Sequence, residues 1–342
     1  MYEAFYKLTG KPFQLVPDAR FYFNSKGHKR AMAYLRYGLK QGEGFIVITG
    51  DIGTGKTMLV RNLFGELDQD QVVAAQLVTT QIDAEDLLRL VNAAFGLPHD
   101  DVSKAVLLRN LESYLRARRQ EGKRTLLVVD EAQNLPPRSV EELRMLSNFQ
   151  EGGRALLQSF LLGQVELSHT LQADGMEQFR QRIIAGFQLR PLDRDEAELY
   201  VRHRLQMVGW SEDPVFTPEA YERLFEATAG VPRRINTLCD RLLLYGSLEE
   251  LHQIGGEQVQ LVSEEIAQEV GRGRAPTTGE GAASRPVRRQ ATFAEAHPED
   301  LAGRVAQLEH EVAQLRRTVQ KESRLLRQAL LMQLEIGDDD AG

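Results

Sequence analysis

Residues 50–57 read Gly50-Asp51-Ile52-Gly53-Thr54-Gly55-Lys56-Thr57, directly after the apolar run Phe45-Ile46-Val47-Ile48-Thr49. No other feature narrows the fold as far. A β-branched strand that ends in a glycine-rich turn and opens into a helix aims several backbone N–H groups at one point. The helix N-terminus adds partial positive charge there. Glycines at 50, 53 and 55 let the backbone wrap a phosphate without Cβ clashes. Lys56 then supplies a point charge for β- and γ-phosphates, and Thr57 a hydroxyl for Mg²⁺. Met58, Leu59, Leu63 and Phe64 give the amphipathic helix that the turn has to open. A glycine-rich turn that binds nothing would not need both flanks.

Further strand patterns at 72–78, 126–130, 156–162 and 186–189 follow the first at 45–49. Helical patterns lie between them at 58–67, 84–95, 104–120, 139–149 and 165–171. Such alternation predicts an α/β fold, a parallel P-loop NTPase sheet with helices on both faces. Upstream, 1–44 is aromatic-rich and punctuated by Pro12, Pro17 and Gly27, with a helix expected over 31–39. This segment is expected to pack on a core spanning 45–191. After Pro191 the strands are expected to stop. Helices over 193–207, 218–228, 233–245 and 263–270 would form a small helical domain, 192–270, with Asp193 and Thr217 as N-caps and Pro218 at a first helical position.

The tail changes character. Gly, Ala, Pro, Thr and Arg dominate 271–300, which predicts a disordered linker. Between 272 and 289 it carries Arg272, Arg274, Arg285, Arg288 and Arg289 against Glu280 alone. Leu301, Val305, Leu308, Val312, Leu315 and Val319 then repeat as leucines at d and valines at a. This pattern fits a parallel two-stranded coiled-coil helix over 301–336, with Arg304 opposite Glu309 and Glu311 opposite Arg316 across the pair. A short exposed single helix is the plainer alternative.

Composition bounds the partners. A formal net charge of −7 argues against a chain built to coat nucleic acid, and outside the linker no dense basic stripe is evident. Nucleic acid is therefore not expected as a partner. Cys239 is the one cysteine, so no intramolecular disulfide can form, and packing as a small hydrophobe is expected for it. No window approaches about 18 uninterrupted apolar residues, and the first residues lack the basic flank and apolar stretch of a secretion signal. The expectation is a soluble cytoplasmic chain, attached to a membrane only through partners or a surface helix.

Chemistry-bearing residues gather around the predicted phosphate loop. Leu126-Leu127-Val128-Val129 ends in Asp130 and Glu131. In nucleotide-hydrolysing proteins the first such acid orients Mg²⁺ and the second polarises the attacking water. Gln164 follows the strand at 156–162, where a polar side chain can hold that water or sense the γ-phosphate, although a plain Gly-Gln turn reads the same way. Arg180 and Arg182 precede the last strand, placed to reach into a neighbouring copy's site or to be ordinary surface arginines. Gly230-Val231-Pro232-Arg233-Arg234-Ile235-Asn236 opens a helix of the small domain, with Arg233, or Arg234 in competition, projecting back onto the phosphates.

Together, loop, Asp-Glu strand, post-strand Gln, arginine pair and Gly-Val-Pro-Arg turn resemble an AAA+ ATPase with an α-helical lid. More narrowly, the chain is similar to the bacterial general-secretion-pathway A family. That likeness is carried by Lys11-Pro12-Phe13 with Pro17-Asp18, by 45–57, by Asp130-Glu131-Ala132-Gln133-Asn134-Leu135, by Gly163-Gln164 and by the lid turn. Gly27-His28-Lys29-Arg30-Ala31 and Leu143-Arg144-Met145-Leu146-Ser147-Asn148-Phe149-Gln150 are similar to the ATPases of exosortase and PEP-CTERM exopolysaccharide loci. The resemblance covers about the first 270 residues. It implies ATP bound between core and lid, Mg²⁺-dependent hydrolysis, and partners in an envelope export or exopolysaccharide machine.

By position, the resemblance places 50–58 and Arg233 on the nucleotide, and Thr57 and Asp130 on the metal. Glu131, Lys56, Gln164, Arg233 and one of Arg180 and Arg182 become the catalytic set. A homo-oligomer is implied, as a ring, a coiled-coil dimer or both. Met58 stands where a second Thr is common, which leaves the metal-binding Thr57 unaffected. Some relatives continue into a membrane span and a peptidoglycan-binding domain; linker and heptads stand there instead, so wall binding is not carried over. Two other classes compete: a DNA-associated AAA+ ATPase of the transposition-helper type, and a nucleotide-gated scaffold with slow turnover, against which Glu131 speaks. A helicase would need a Ser-Ala-Thr motif and a second core, neither of which is found.

Overall fold

The computed structural model describes residues 2–79 and 84–272. The expected linker and coiled coil, 273–342, lie outside the described residues. Five strands build one sheet: β1 (Phe45–Gly50), β2 (Val72–Val78), β3 (Arg124–Asp130), β4 (Gln158–Gly163) and β5 (Ile183–Leu189). All pair in parallel, in the order β2-β3-β4-β1-β5. β1 and β4 are buried at every residue and β3 at all but its first, as expected for central strands covered on both faces.

Alternation along these strands sorts side chains onto two layers. Phe45, Val47, Leu127, Val129 and Leu161 point to one layer, under the helices α3 (Ala84–Ala94), α4 (Lys104–Gln120), α5 (Pro137–Leu146) and α6 (Val165–Gln172). Ile46, Ile48, Leu126, Val128, Phe160 and Leu162 point to the other, under α1 (Lys26–Gln41) and α2 (Lys56–Glu66). A third cluster joins α7 (Arg194–Gln206), α8 (Pro218–Thr228), α9 (Pro232–Leu248) and α10 (Gly256–Arg272) around Leu205, Leu224, Leu238 and Val259. Cys239 is fully buried there, and burial pushes its thiol far above the usual range.

Asp193 and Thr217 cap their helices as the sequence predicts, accepting from the amides of Glu196 at 2.8 Å and Ala220 at 3.2 Å. Other expectations need correction. Strands do not stop at Pro191, because Val215–Phe216 pairs in parallel with Gln253–Ile254 in the helical region. Two-residue strands are too short for any alternation to announce them. The helix expected over 139–149 ends at Leu146, and the chain then turns through Gly152 and Gly153, both at positive φ, between the paired segments Gln150–Glu151 and Arg154–Ala155. α10 begins at Gly256, seven residues before the apolar pattern suggests.

The aromatic N-terminal segment divides its contacts. α1 packs on the sheet through Ala31, Met32 and Leu35, whereas Tyr2, Tyr6, Leu8, Phe13 and Phe21 belong to the helical cluster. Among the described residues no helix is long and apolar enough to cross a membrane.

Candidate nucleotide site

β1 delivers the loop after Gly50 to the C-terminal edge of the sheet, and α2 opens from it at Lys56. Gly53 and Gly55 adopt φ of 83° and 101°, a region that a side chain disfavours. Space forbids one as well. A Cβ on Gly53 would stand 2.6 Å from Cβ of Arg233, and one on Gly55 would stand 2.7 Å from Nε2 of His28. The loop is thus clasped from two sides, by the first turn of α9 and by the first turn of α1. The amide of Arg233 also donates to the Gly53 carbonyl at 3.2 Å.

Lys56 is buried, and its Nζ donates to the carbonyls of Gly50 (2.7 Å) and Asp51 (3.0 Å). Burial pushes its pKa down, against the pull of Glu131 and Asp130. Thr57 Oγ1 donates to Asp130 Oδ2 at 3.0 Å across 73 residues of chain. Burial raises the Asp130 pKa, opposed by the bonds from Thr57 and from the Glu131 amide. Thr79, just past β2, donates its hydroxyl to the carbonyls of Asp130 (3.0 Å) and Glu131 (2.6 Å), pinning the end of β3.

Glu131 sits in the left-handed region at φ 55°. Gln133 Nε2 donates to Glu131 Oε2 at 2.7 Å, and Gln133 Oε1 accepts from the Gln164 amide at 2.9 Å. Gln164 stands at the N-cap of α6, immediately after β4, whose neighbours are β1 and β3. One side chain therefore links the second acid to the end of the neighbouring strand. Sequence reasoning gave Gln133 no role. The available signal was its place in the tight turn Ala132–Asn134, which folds its side chain back on Glu131.

A cavity of about 500 Å³ opens beside the loop, lined by residues 52–58, Glu131, Arg233 and Asn236. Gln14, Leu15, Val16, Pro17, Phe21 and Tyr22 of the N-terminal segment form another wall, which the sequence did not predict. Arg233 lines this cavity, whereas Arg234 is not among its lining residues. The two arginine-finger candidates lie elsewhere. The Arg182 carbonyl accepts from the Phe45 amide at 2.9 Å, at the end of β1 opposite the loop. The Arg182 guanidinium is engaged by Ser147 and Asn148. Arg180 donates to the carbonyls of Leu171 (3.0 Å) and Ala173 (3.1 Å) and pairs with Glu177.

Comparison with known proteins bears on the fold. Residues 39–171 match the AAA domain family. The chain is 37% identical over 268 residues to General secretion pathway protein A of Aeromonas hydrophila, covering 78% of this chain and 49% of that protein. It thus spans about half the length of that relative. Among solved structures it is similar to Cdc6p from Pyrobaculum aerophilum (TM-score 0.58, 18% identity, 75% of this chain and 70% of that one). The ORC2 protein of Aeropyrum pernix is also similar (TM-score 0.53, 14% identity, 73% and 72%). At these identities the two structures speak to fold alone. The chain has a P-loop NTPase fold, matches the AAA domain family over residues 39–171, and is similar, over most of its own length, to General secretion pathway protein A.

Proposed function

We propose that the protein binds ATP with Mg²⁺, hydrolyses it to ADP and phosphate, and uses that turnover to drive or regulate an envelope export system of the exopolysaccharide, PEP-CTERM and exosortase kind. The observation that carries the chemistry is the 3.0 Å bond from Thr57 to Asp130, which unites the loop's hydroxyl with the strand's buried carboxylate. These are the hard oxygen donors that suit Mg²⁺, which when bound neutralises charge on phosphate oxygens. The positive-φ glycines and the amides of the loop fit a phosphate chain.

In this reading Lys56 supplies the cation for the β- and γ-phosphates, and Glu131 polarises the attacking water. Gln133 holds the Glu131 carboxylate in place and ties it to Gln164, which senses the terminal phosphate. Arg233 carries movement of the helical lid onto the phosphates. Arg180 or Arg182 serves a neighbouring copy's site, because both sit away from the loop of their own chain. That role requires a homo-oligomer. The export assignment is supported by the 37% identity to a secretion-pathway protein, and with it goes a cytoplasmic site of action, peripheral to the inner membrane through partners.

Phosphate release by the purified full chain tests the reading. Glu131→Gln should lower kcat about 100-fold or more while ATP is retained. Lys56→Ala should abolish nucleotide binding. Wild-type turnover in either variant would refute the assignment.

A further inference from the structure

The opposite end of the sheet holds a second cavity, of about 360 Å³, which lies in the size range of small-molecule sites. Four separated stretches of chain bring cations to it: Lys40 at the end of α1, Arg119 at the end of α4, Lys123 and Arg124 at the start of β3, and Arg154 from the short hairpin. Among the described residues, Glu43 is the one carboxylate that lines it. This gathering occurs on a chain whose formal net charge is −7.

Nearby arginines are neutralised. Arg116 pairs with Glu112 and Glu151, Arg118 with Glu121, and Arg36 with Glu66. By contrast, among the described residues Lys40, Arg119, Lys123 and Arg154 make no ion pair or side-chain hydrogen bond. Arg124 reaches only the Leu39 carbonyl, at 2.6 Å. Helix dipoles account for part of this, since Lys40 and Arg119 lie in the last turns of their helices, where a cation is stabilising. They do not account for Lys123, Arg124 or Arg154. Like charges lining one cavity repel, and a bound polyanion offsets that cost. Guanidinium groups pair bidentately with phosphate oxygens, and Leu39, Val72 and Leu156 add apolar wall for the rest of a ligand.

We propose that this cavity binds a small, multiply charged phosphate compound. It is separate from the P-loop. β3 starts at Arg124 in this cavity and ends at Asp130 beside the loop, which sets the two ends about 20 Å apart at the rise of a strand.

Calorimetric titration of the full chain with inorganic pyrophosphate, at low ionic strength, tests this. The Lys56→Ala chain removes the P-loop's share, and binding should persist in it. Lys123→Glu with Arg154→Glu should weaken that binding about tenfold or more. Lys123→Gln with Arg154→Gln should weaken it less, and circular dichroism reports whether each variant is folded. Loss of all pyrophosphate binding in Lys56→Ala, or undiminished binding in the folded glutamate variant, overturns the proposal. A fluorescent DNA duplex that competes pyrophosphate away and binds more tightly through the same residues would also overturn it, in favour of a nucleic-acid surface. If the chain failed to hydrolyse ATP, this outcome would stand unaffected.

Discussion

His28 lies in the first turn of α1, its amide bonded to the Ser25 cap at 3.1 Å and its Nδ1 2.7 Å from the same hydroxyl. The ring faces Gly55 and is buried, and burial pulls its pKa down to about 4, a backbone bond with Gly55 acting the other way. The unfolded chain binds this proton near pH 6.5 and the folded chain near 4, so folding loses stability as pH falls between them, by at most about 3 kcal/mol. Denaturation of wild type and His28→Gln from pH 7 to 4 should show a shallower pH slope in the variant. Identical slopes would mean that His28 is not held neutral. Lys56, Thr57, Asp130 and Glu131 were legible because strand and loop chemistry are local and leave a local pattern. His28 against Gly55 was not, since only the packing of α1 brings two residues 27 positions apart together. Gln133 lay in plain view beside Glu131, and its role emerges only from the turn that folds it back.

Among the elements, the N-terminal segment and α7 are locked by a buried cation. Arg204 donates to the Pro12 carbonyl at 2.6 Å and to Tyr200 Oη at 2.8 Å, with its guanidinium 4.7 Å above the Phe21 ring. Tyr200 in turn donates to Asn236 of α9 at 2.8 Å. From the other side, Arg61 of α2 holds the Pro17 carbonyl at 2.6 Å. Residues 12–21 therefore tie the helical cluster to the layer under the sheet. Arg204→Leu leaves the buried Pro12 carbonyl without its donor, which should cost about 1–3 kcal/mol. Thermal denaturation should show the loss, and limited proteolysis should cut this segment first. A Lys at 204 should restore little, because an ammonium cannot reproduce the fork; full rescue would argue that charge alone matters. The sequence reading sent this aromatic segment to the core over 45–191, whereas Tyr2, Tyr6, Leu8, Phe13 and Phe21 pack in the helical cluster, since aromatic content says what will be buried without saying against which face.

At the scale of the whole molecule, alternation of strands and helices was enough to read the class and the position of the phosphate loop. It does not encode the order β2-β3-β4-β1-β5, nor the cationic cavity, whose cations are dispersed between 40 and 154. The expectation of assembly through the heptads at 301–336 lies outside the described residues and is open to test. Removing 301–336 should reduce self-association or partner docking in analytical ultracentrifugation while nucleotide affinity stays unchanged; an unaltered assembly with partner capture intact would dismiss that role. The bond from the Arg233 amide to the Gly53 carbonyl has its own outcome. It ties the loop to the first turn of α9, so in the proposed reading a nucleotide held by the loop is coupled to the helical cluster as well. If so, a substitution far out on the helical cluster should alter how long a nucleotide stays without touching a single phosphate contact.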